Sequence, residues 1–322
     1  MKAAILNSPD SVPVYGDFDA PAAGEGYQLM SLVATGIHQL TRSTAVGRHY
    51  SRDAVFPVIP GLNAVARTAA GDLVFTASAP APYGTFAEII ASPDAMRFPV
   101  PSDASPEAVA AGVNPGIGSW LPLTARVAET GKLGTVLILG ATGITGYMAV
   151  QNAQVLGASR VIGVGRSAER LKRAAAAGAE TVILTGDKDA DATALGAAID
   201  GDAPGLVLDF VWGPVAEAAF HAIANRRFGE DGPEIKYVQI GALAGLEAAV
   251  PSGLLRSTKI AVSGSGAGAV SGAEIKAKIP EVINLIADGT VDVPFRTFPL
   301  SEAGAAWTAS TDPGPRVVIV PA

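Results

Sequence analysis

Three glycines in one short stretch have the spacing needed to hold the phosphates of a nucleotide. An apolar run at residues 136–139 leads into Gly-Ala-Thr-Gly-Ile-Thr-Gly at residues 140–146, and a helical pattern follows to residue 156. In such a strand-turn-helix, the missing Cβ atoms let the backbone approach a pyrophosphate, whose charge lies at the helix N-terminus. A tight turn without a ligand is the alternative. We predict cofactor contacts from Gly140, Thr142, Gly143, Ile144, Thr145 and Gly146.

The tip of the next apolar run, at residues 161–164, indicates which dinucleotide would bind. Gly165-Arg166-Ser167 follows it, and Arg170 lies one helical turn further on. A site that prefers NAD usually has an acidic residue about 20 residues after the turn, bonded to the ribose 2′-hydroxyl. Here Glu169 lies inside the following helix instead. Because arginine and serine can bind a 2′-phosphate, we predict NADPH. Solvated arginines on a helix are the alternative.

The elements around the turn predict two domains in an α/β chain. Between residues 113 and 287, six apolar strand-like runs alternate with helical stretches, which is typical of a doubly wound parallel sheet. Residues 1–112 carry short β-rich runs separated by Gly, Pro, Asp and Asn, which favour a small β-barrel or sandwich. Residues 288–322 return to that texture. We therefore predict a nucleotide-binding domain at 113–287 and a β-rich domain at 1–112 that 288–322 completes.

The composition excludes several kinds of chemistry. The 322 residues contain no Cys, which excludes disulfides, thiol nucleophiles and Cys-based zinc or iron–sulfur sites. The 30 acidic and 23 basic residues give a net charge of −7, so neither nucleic acid nor an anionic membrane is expected as a partner. No apolar run reaches the length of a membrane span, and the N-terminal apolar stretch is too short for a signal peptide. We expect a cytoplasmic protein.

Other candidate sites are weak. Asp187-Lys188-Asp189-Ala190-Asp191 is similar to the start of a calcium loop, but Ala occupies positions 192 and 198, where such loops carry Gly and Glu. We interpret this run as a solvated turn. The three histidines, His38, His49 and His221, are too dispersed in sequence to predict a metal site.

The order of these features resembles the medium-chain dehydrogenase/reductase superfamily, and within it the zinc-independent quinone oxidoreductase branch. The resemblance covers essentially the whole chain. The segments that carry it, besides the glycine turn, are Met1-Lys2-Ala3-Ala4, Pro57-Val58-Ile59-Pro60-Gly61, Gly84-Thr85-Phe86-Ala87-Glu88, Asn114-Pro115-Gly116 and Gly314-Pro315-Arg316-Val317-Val318-Ile319. It implies a GroES-like catalytic domain and an inserted Rossmann domain, with the nicotinamide held in the cleft between them.

The resemblance also bears on metal and acceptor sites. Zinc-dependent relatives place Cys after the glycine matched by Gly36 and His-Glu after the one matched by Gly61, where this chain has Leu62-Asn63, so no zinc is implied. Quinone reductases of the branch carry Asn shortly after the first glycine and a downstream Arg-x-Gly-x-Tyr. Here the Asn position is His38, and Tyr50 matches the pocket tyrosine although the register shifts by one. Either side chain could donate to the acceptor, and a structural role is the alternative for both.

Further cofactor contacts are implied by the resemblance. Asn114 would lie near the nicotinamide, and Val211 with Trp212 would border the ribose. Three residues, Ile240, Gly241 and Ala242, would pass beneath the nicotinamide, and three others, Ser263, Gly264 and Ser265, would approach its amide.

The implied function is NADPH-dependent transfer of hydride to a quinone, another conjugated carbonyl or an activated alkene, without a metal. A zinc-independent alcohol dehydrogenase or ketone reductase is one alternative, and an NADPH-binding structural or sensor protein without turnover is another. The resemblance further implies a homodimer, paired through a strand at residues 259–263.

Overall fold

The computed structural model describes residues 1–49, 55–77, 79–225 and 234–322. Unit 1 comprises Met1–Pro115 and Ala273–Ala322, and unit 2 comprises Gly116–Gly272. The sequence predicts boundaries at 112/113 and 287/288, whereas residues 273–287, which form most of the helix at 272–287, belong to unit 1. Within the described ranges, no helix is long and apolar enough to cross a membrane.

Strands and helices succeed one another along the described chain. The strands are β1 (Lys2–Ile5), β2 (Val14–Asp17), β3 (Tyr27–Gly36), β4 (Asn63–Arg67), β5 (Leu73–Ala77), β6 (Ile89–Pro93), β7 (Arg97–Pro99), β8 (Thr135–Leu139), β9 (Arg160–Gly165), β10 (Glu180–Ile183), β11 (Leu206–Asp209), β12 (Ile235–Gln239), β13 (Ile260–Gly264), β14 (Phe295–Pro299) and β15 (Arg316–Val320). The helices are α1 (Gln39–Ala45), α2 (Pro106–Thr130), α3 (Ile144–Val155), α4 (Ala168–Ala176), α5 (Lys188–Ala198), α6 (Gly213–Ala224), α7 (Ser252–Ser257), α8 (Gly272–Ala287) and α9 (Ala303–Ala309).

Unit 2 is built on a parallel sheet whose strand order is β10-β9-β8-β11-β12-β13 among the described residues. Strand succession therefore runs outward in both directions from the neighbours β8 and β11, as in the doubly wound dinucleotide-binding fold. Alternate residues of β8 pack into different cores, with Leu137 and Leu139 in one and Val136 and Ile138 in the other. This strand order confirms the predicted fold class. The class could be predicted because strands covered on both faces are apolar throughout.

Unit 1 contains a seven-stranded sheet in the part of the chain that the structure describes, in the order β14-β15-β3-β4-β5-β7, with β6 paired to β3. The C-terminal strand β15 pairs antiparallel with β3, joining Val318 to Gly36 and Ile319 to Thr35. The Arg42 guanidinium lies 4.5 Å from the ring centre of Trp307 and donates to the Trp307 carbonyl oxygen at 2.6 Å. The two ends of the chain thus complete one another in this unit.

The acidic run at residues 187–191 is only partly the solvated turn that we predicted. Asp187 accepts from the Ala190 amide and caps α5, as an exposed N-cap residue should. Asp191, however, is 5% exposed and accepts from the Thr185 amide, the Thr185 hydroxyl and the Gly186 amide at 2.7, 2.9 and 3.1 Å. The prediction was wrong for Asp191, because this carboxylate is needed to satisfy the backbone that joins β10 to α5.

Candidate functional site

The glycine turn between β8 and α3 leaves no room for a side chain at its first and last glycines. A Cβ on Gly146 would lie 2.3 Å from the Gly140 carbonyl oxygen, and Gly140 itself has a φ of +97°. The Gly140 and Ala141 amides both donate to the Val164 carbonyl oxygen, at 3.0 and 2.9 Å. The turn is therefore fixed against β9, and glycine is required at position 140 by its positive φ and at position 146 by packing.

The N-terminus of α3 is open to a ligand. Its N-cap residue is Gly143, which has no side chain to cap the helix, and the first helical hydrogen bond joins the Tyr147 amide to the Gly143 carbonyl oxygen. The amides of Ile144, Thr145 and Gly146 therefore have no carbonyl acceptor within the helix. A Cβ on Gly143 would meet no atom closer than 3.7 Å. Such a helix start favours an anion.

The tip of β9 lies against the same turn. A Cβ on Gly165 would be 2.4 Å from Thr142 Cγ2, so the second strand and the glycine turn pack directly on each other. Arg166 and Arg170 are exposed, whereas the nearby Glu169 carboxylate is held by Lys172 at 2.5 Å. The Ser167 hydroxyl oxygen accepts from the Arg170 amide at 3.4 Å and caps α4. Positive charge dominates this strand tip, as the sequence predicts.

The carboxyl end of β11 reaches the turn from the other side. Val211 Cγ1 would lie 2.9 Å from a Cβ on Gly140, which places this side chain over the first glycine. Trp212 follows with a φ of 56° and packs edge-on against Phe220 and Tyr237, with ring centres 5.9 and 6.2 Å apart. These contacts bring Val211 to the crevice between β8 and β11, the point where ligands bind in such sheets.

Strands β12 and β13 contribute the remaining predicted contacts of unit 2. The Ile240 and Gly241 amides donate to the Asp209 carbonyl oxygen at 2.7 and 3.1 Å. A Cβ on Gly241 would be 2.5 Å from the Phe210 carbonyl oxygen, so this glycine is required by the fold, whereas Gly264 has nothing closer than 3.9 Å. The loop residue Ala242 is half-buried, as is Ser265, while Ser263 is exposed. Carboxyl ends of parallel strands share one edge, so these residues lie along the same side of the sheet as the glycine turn.

The predicted residues outside unit 2 are Asn114, His38 and Tyr50. Asn114 lies in α2 within unit 1, and His38 is the N-cap residue of α1 in the same unit. Tyr50 lies outside the described residues, so its role stays a prediction.

His38 is buried in an unusual environment. It is 3% exposed, and neither ring nitrogen has a hydrogen-bond partner in the described structure. A Cβ on Gly36 would lie 2.8 Å from His38 Nε2 and 2.6 Å from the Ala110 carbonyl oxygen, so glycine is needed to admit the imidazole. Burial, assisted by the nearby Arg316 guanidinium, holds the pKa of His38 well below its ordinary value, although the Ala110 carbonyl oxygen opposes part of this shift. The imidazole is therefore a neutral donor and acceptor.

Comparisons with known proteins agree with this arrangement. The sequence pattern of the family described as zinc-binding dehydrogenase matches residues 145–288. A protein of Emericella nidulans named probable NADPH-dependent quinone reductase tdiC is 35% identical over 229 residues. That match covers 67% of this chain and 62% of the relative, so the chain spans less than two thirds of the relative's length.

Solved structures cover the whole chain. The quinone oxidoreductase from Thermus thermophilus, solved also in complex with NADPH, is 27% identical with a TM-score of 0.78, covering 99% of this chain and 100% of its own. The mycobacterial Rv1454c complexed with NADPH is 23% identical with a TM-score of 0.79 and full coverage of both chains, which supports the fold. The predicted resemblance to the medium-chain dehydrogenase/reductase superfamily is thereby confirmed.

One pair of buried residues was not predicted from the sequence. Asp209, the last residue of β11, is 0% exposed, and the Tyr237 hydroxyl donates to its Oδ2 at 2.6 Å. Burial raises the pKa of Asp209 against the opposing effect of its hydrogen bonds, and burial beside this carboxylate raises the pKa of Tyr237 well above its ordinary value. The available signal was a single acidic residue at the end of an otherwise apolar strand.

Proposed function

We propose that this protein is an NADPH-dependent reductase that transfers hydride to a quinone or to another conjugated carbonyl compound or activated alkene. The observation that carries the proposal is the glycine turn between β8 and α3, closed to side chains at Gly146 and open at Gly143 beside uncapped amides. The names of the fungal relative and of the Thermus structure support both the dinucleotide and the acceptor class.

The residues present fit such a dinucleotide. The first-turn amides of α3 would bind the pyrophosphate, and Arg166, Arg170 and the Ser167 hydroxyl would bind the 2′-phosphate. Val211 and Trp212 would border the ribose. The nicotinamide would be held by Ile240, Gly241, Ala242, Ser263, Gly264, Ser265 and Asn114. When bound, the dinucleotide supplies the hydride, and the protein's part is orientation and exclusion of water.

Acceptor activation requires one hydrogen-bond donor in this proposal. A conjugated acceptor spreads the incoming negative charge over several atoms, so it needs less stabilisation than an isolated ketone. We assign the donor to Tyr50 or to the neutral imidazole of His38. Burial lowers the pKa of His38 and so favours the neutral imidazole, and we assign the final proton to solvent. No metal takes part in this scheme.

A homodimer and a cytoplasmic location belong to the same proposal. β13 is an edge strand of the unit 2 sheet among the described residues, and its Val262, Ser263 and Gly264 are exposed. An edge strand without charged side chains favours pairing with another strand. Sedimentation of a monomer at micromolar concentration would contradict the dimer.

The Cys-free composition fits a reducing compartment.

A panel of acceptors tests the proposed reaction. NADPH oxidation is followed with simple quinones, enones and saturated ketones, and we expect turnover of the first two only. Efficient reduction of saturated ketones would replace the proposal with a zinc-independent ketone reductase. Tight NADPH binding without turnover of any acceptor would indicate a structural or sensor protein. The variant Tyr50→Phe should retain NADPH affinity and lower the rate; an unchanged rate would move the donor to His38.

A further inference from the structure

A buried carboxylate organises the backbone that follows β11. Asp209 Oδ1 accepts from the amides of Val211 and Trp212, both at 2.8 Å, while Oδ2 accepts from the Tyr237 hydroxyl at 2.6 Å. Asp209 and Tyr237 are both 0% exposed. Tyr237 stands opposite Val207 in the sheet register, two residues before Asp209 on the same strand face. The proposed hydride transfer uses neither side chain.

The backbone held by Asp209 is strained. Among the described residues other than glycine, Trp212 alone has a positive φ, at 56° with a ψ of −157°. This region is almost restricted to glycine, and non-glycine residues remain in it only where their surroundings force them to. The next residue, Gly213, also has a positive φ of 58°, and a Cβ there would lie 2.9 Å from the Ala244 backbone. Strain of this kind collects at binding sites.

The strained conformation of Trp212 sets the positions of two side chains, its own indole and that of Val211. It directs the Trp212 indole onto Phe220 and Tyr237, so the tyrosine that holds the carboxylate also packs against the strained residue. It leaves Val211 over Gly140, the first glycine of the turn that would bind the pyrophosphate. A relaxed backbone at Trp212 would move Val211 and change the width of the crevice between β8 and β11.

We propose that Asp209 is a positioning residue, which, held by Tyr237, keeps the Val211–Trp212 segment in the strained shape that the nucleotide requires. The inference rests on the proposed NADPH site. A simpler role, in which the carboxylate only joins β11 to α6, predicts lost stability but no dependence on the residue at position 212. The two roles differ because glycine adopts the observed φ and ψ without strain.

A double-mutant cycle separates these roles. The variants are Asp209→Asn, Trp212→Gly, Trp212→Phe, and Asp209→Asn combined with each of the two; Trp212→Phe is the control that keeps the strain and an aromatic ring. Melting temperature and NADPH affinity are measured for each. Loss of the indole contacts occurs in both variants that carry Trp212→Gly and therefore cancels in the cycle. We expect Asp209→Asn to weaken NADPH binding about tenfold when position 212 holds tryptophan or phenylalanine, and less than about threefold when it holds glycine.

Each result bears on the inference. Equal losses with tryptophan, phenylalanine and glycine at position 212 would overturn it, as would Asp209→Asn with unchanged NADPH affinity. If Asp209→Asn does not fold, Tyr237→Phe, which leaves Oδ2 without its donor, should show the same dependence on position 212. Failure of the unmodified protein to bind NADPH would refute the proposed function and the positioning role together, whereas NADPH binding without coupling would refute only the positioning role.

Discussion

A single methyl group at Gly146 tests how tightly the glycine turn is packed. The added Cβ of Gly146→Ala would lie 2.3 Å from the oxygen and 2.7 Å from the carbon of the Gly140 carbonyl, and 2.8 Å from Ala141 Cα. All three are backbone atoms, and both residues are hydrogen-bonded to Val164. The turn must therefore shift, at a cost typical of an overpacked core, about 1–3 kcal/mol.

Helix propensity acts in the opposite direction at this position. Gly146 lies within α3, where alanine is favoured over glycine by about 1 kcal/mol. The net loss is then about 0–2 kcal/mol, which lowers the melting temperature of a protein this size by up to several degrees, at about 2–4 °C per kcal/mol. Because the shifted turn no longer matches the pyrophosphate, NADPH affinity should fall as well.

Gly143→Ala is the matched control in the same turn. Its added Cβ would meet nothing closer than 3.7 Å, and its φ of −86° suits alanine. Alanine is a weaker N-cap residue than glycine, so stability should fall by no more than about 1 kcal/mol. The methyl group would stand beside the uncapped amides of α3, so NADPH binding should weaken although the turn keeps its shape.

Calorimetry and NADPH titration of the two variants test the tight packing at Gly146 and the pyrophosphate site beside Gly143. A melting temperature for Gly146→Ala above that of the unmodified protein would refute the tight packing. Full NADPH affinity in Gly143→Ala would refute a pyrophosphate at this turn, even if Gly146→Ala behaved as expected.

Three further measurements address charge, protonation and metal. Arg166→Glu should weaken NADPH binding about tenfold to a hundredfold, since a charge-assisted contact contributes roughly 1.5–3 kcal/mol, and leave NADH nearly unaffected; equal affinity for both dinucleotides in the unmodified protein would contradict this assignment. The pKa of His38 in the folded protein lies well below the ordinary value of 6.5, so the stability that the neutral imidazole provides above pH 6.5 is lost as the pH falls below 6.5. The melting temperature of the unmodified protein should therefore fall more steeply with decreasing pH than that of His38→Gln. Parallel slopes for the two proteins would contradict the lowered pKa. Chelator treatment should change neither rate nor melting temperature, and stoichiometric zinc in the purified protein would disprove the metal-free scheme.

The parallel sheet was predictable because its physical cause is local in sequence. Strands covered on both faces must be apolar at every position, so the runs around Leu137 and Leu208 can be recognised as buried strands, and the glycines after Leu139 mark the turn. The fold class and the position of the glycine turn follow from these local patterns.

The buried polar groups were not predictable, because burial depends on which distant segments meet. Asp209 and Tyr237 are 28 positions apart and are joined only by the pairing of β11 with β12. Asp191 is similar to its exposed acidic neighbours in sequence, and only the backbone at Thr185 distinguishes it. The positive φ of Trp212 likewise has no sequence signal, since tryptophan is disfavoured there.

The closure of unit 1 by its two chain ends sets an order of events during synthesis on the ribosome. Residues Met1–Pro115 emerge before residues 273–322, so β3 cannot pair with β15, nor Arg42 with Trp307, until those later residues have been made. All of Gly116–Gly272 is translated in between, a delay on the order of ten seconds. Unit 2 is contiguous in sequence and can fold as it emerges, whereas the sheet of unit 1 is still incomplete, because β3 has not yet paired with β15. Nascent chains stalled before residue 316 should therefore bind chaperones through the N-terminal segment.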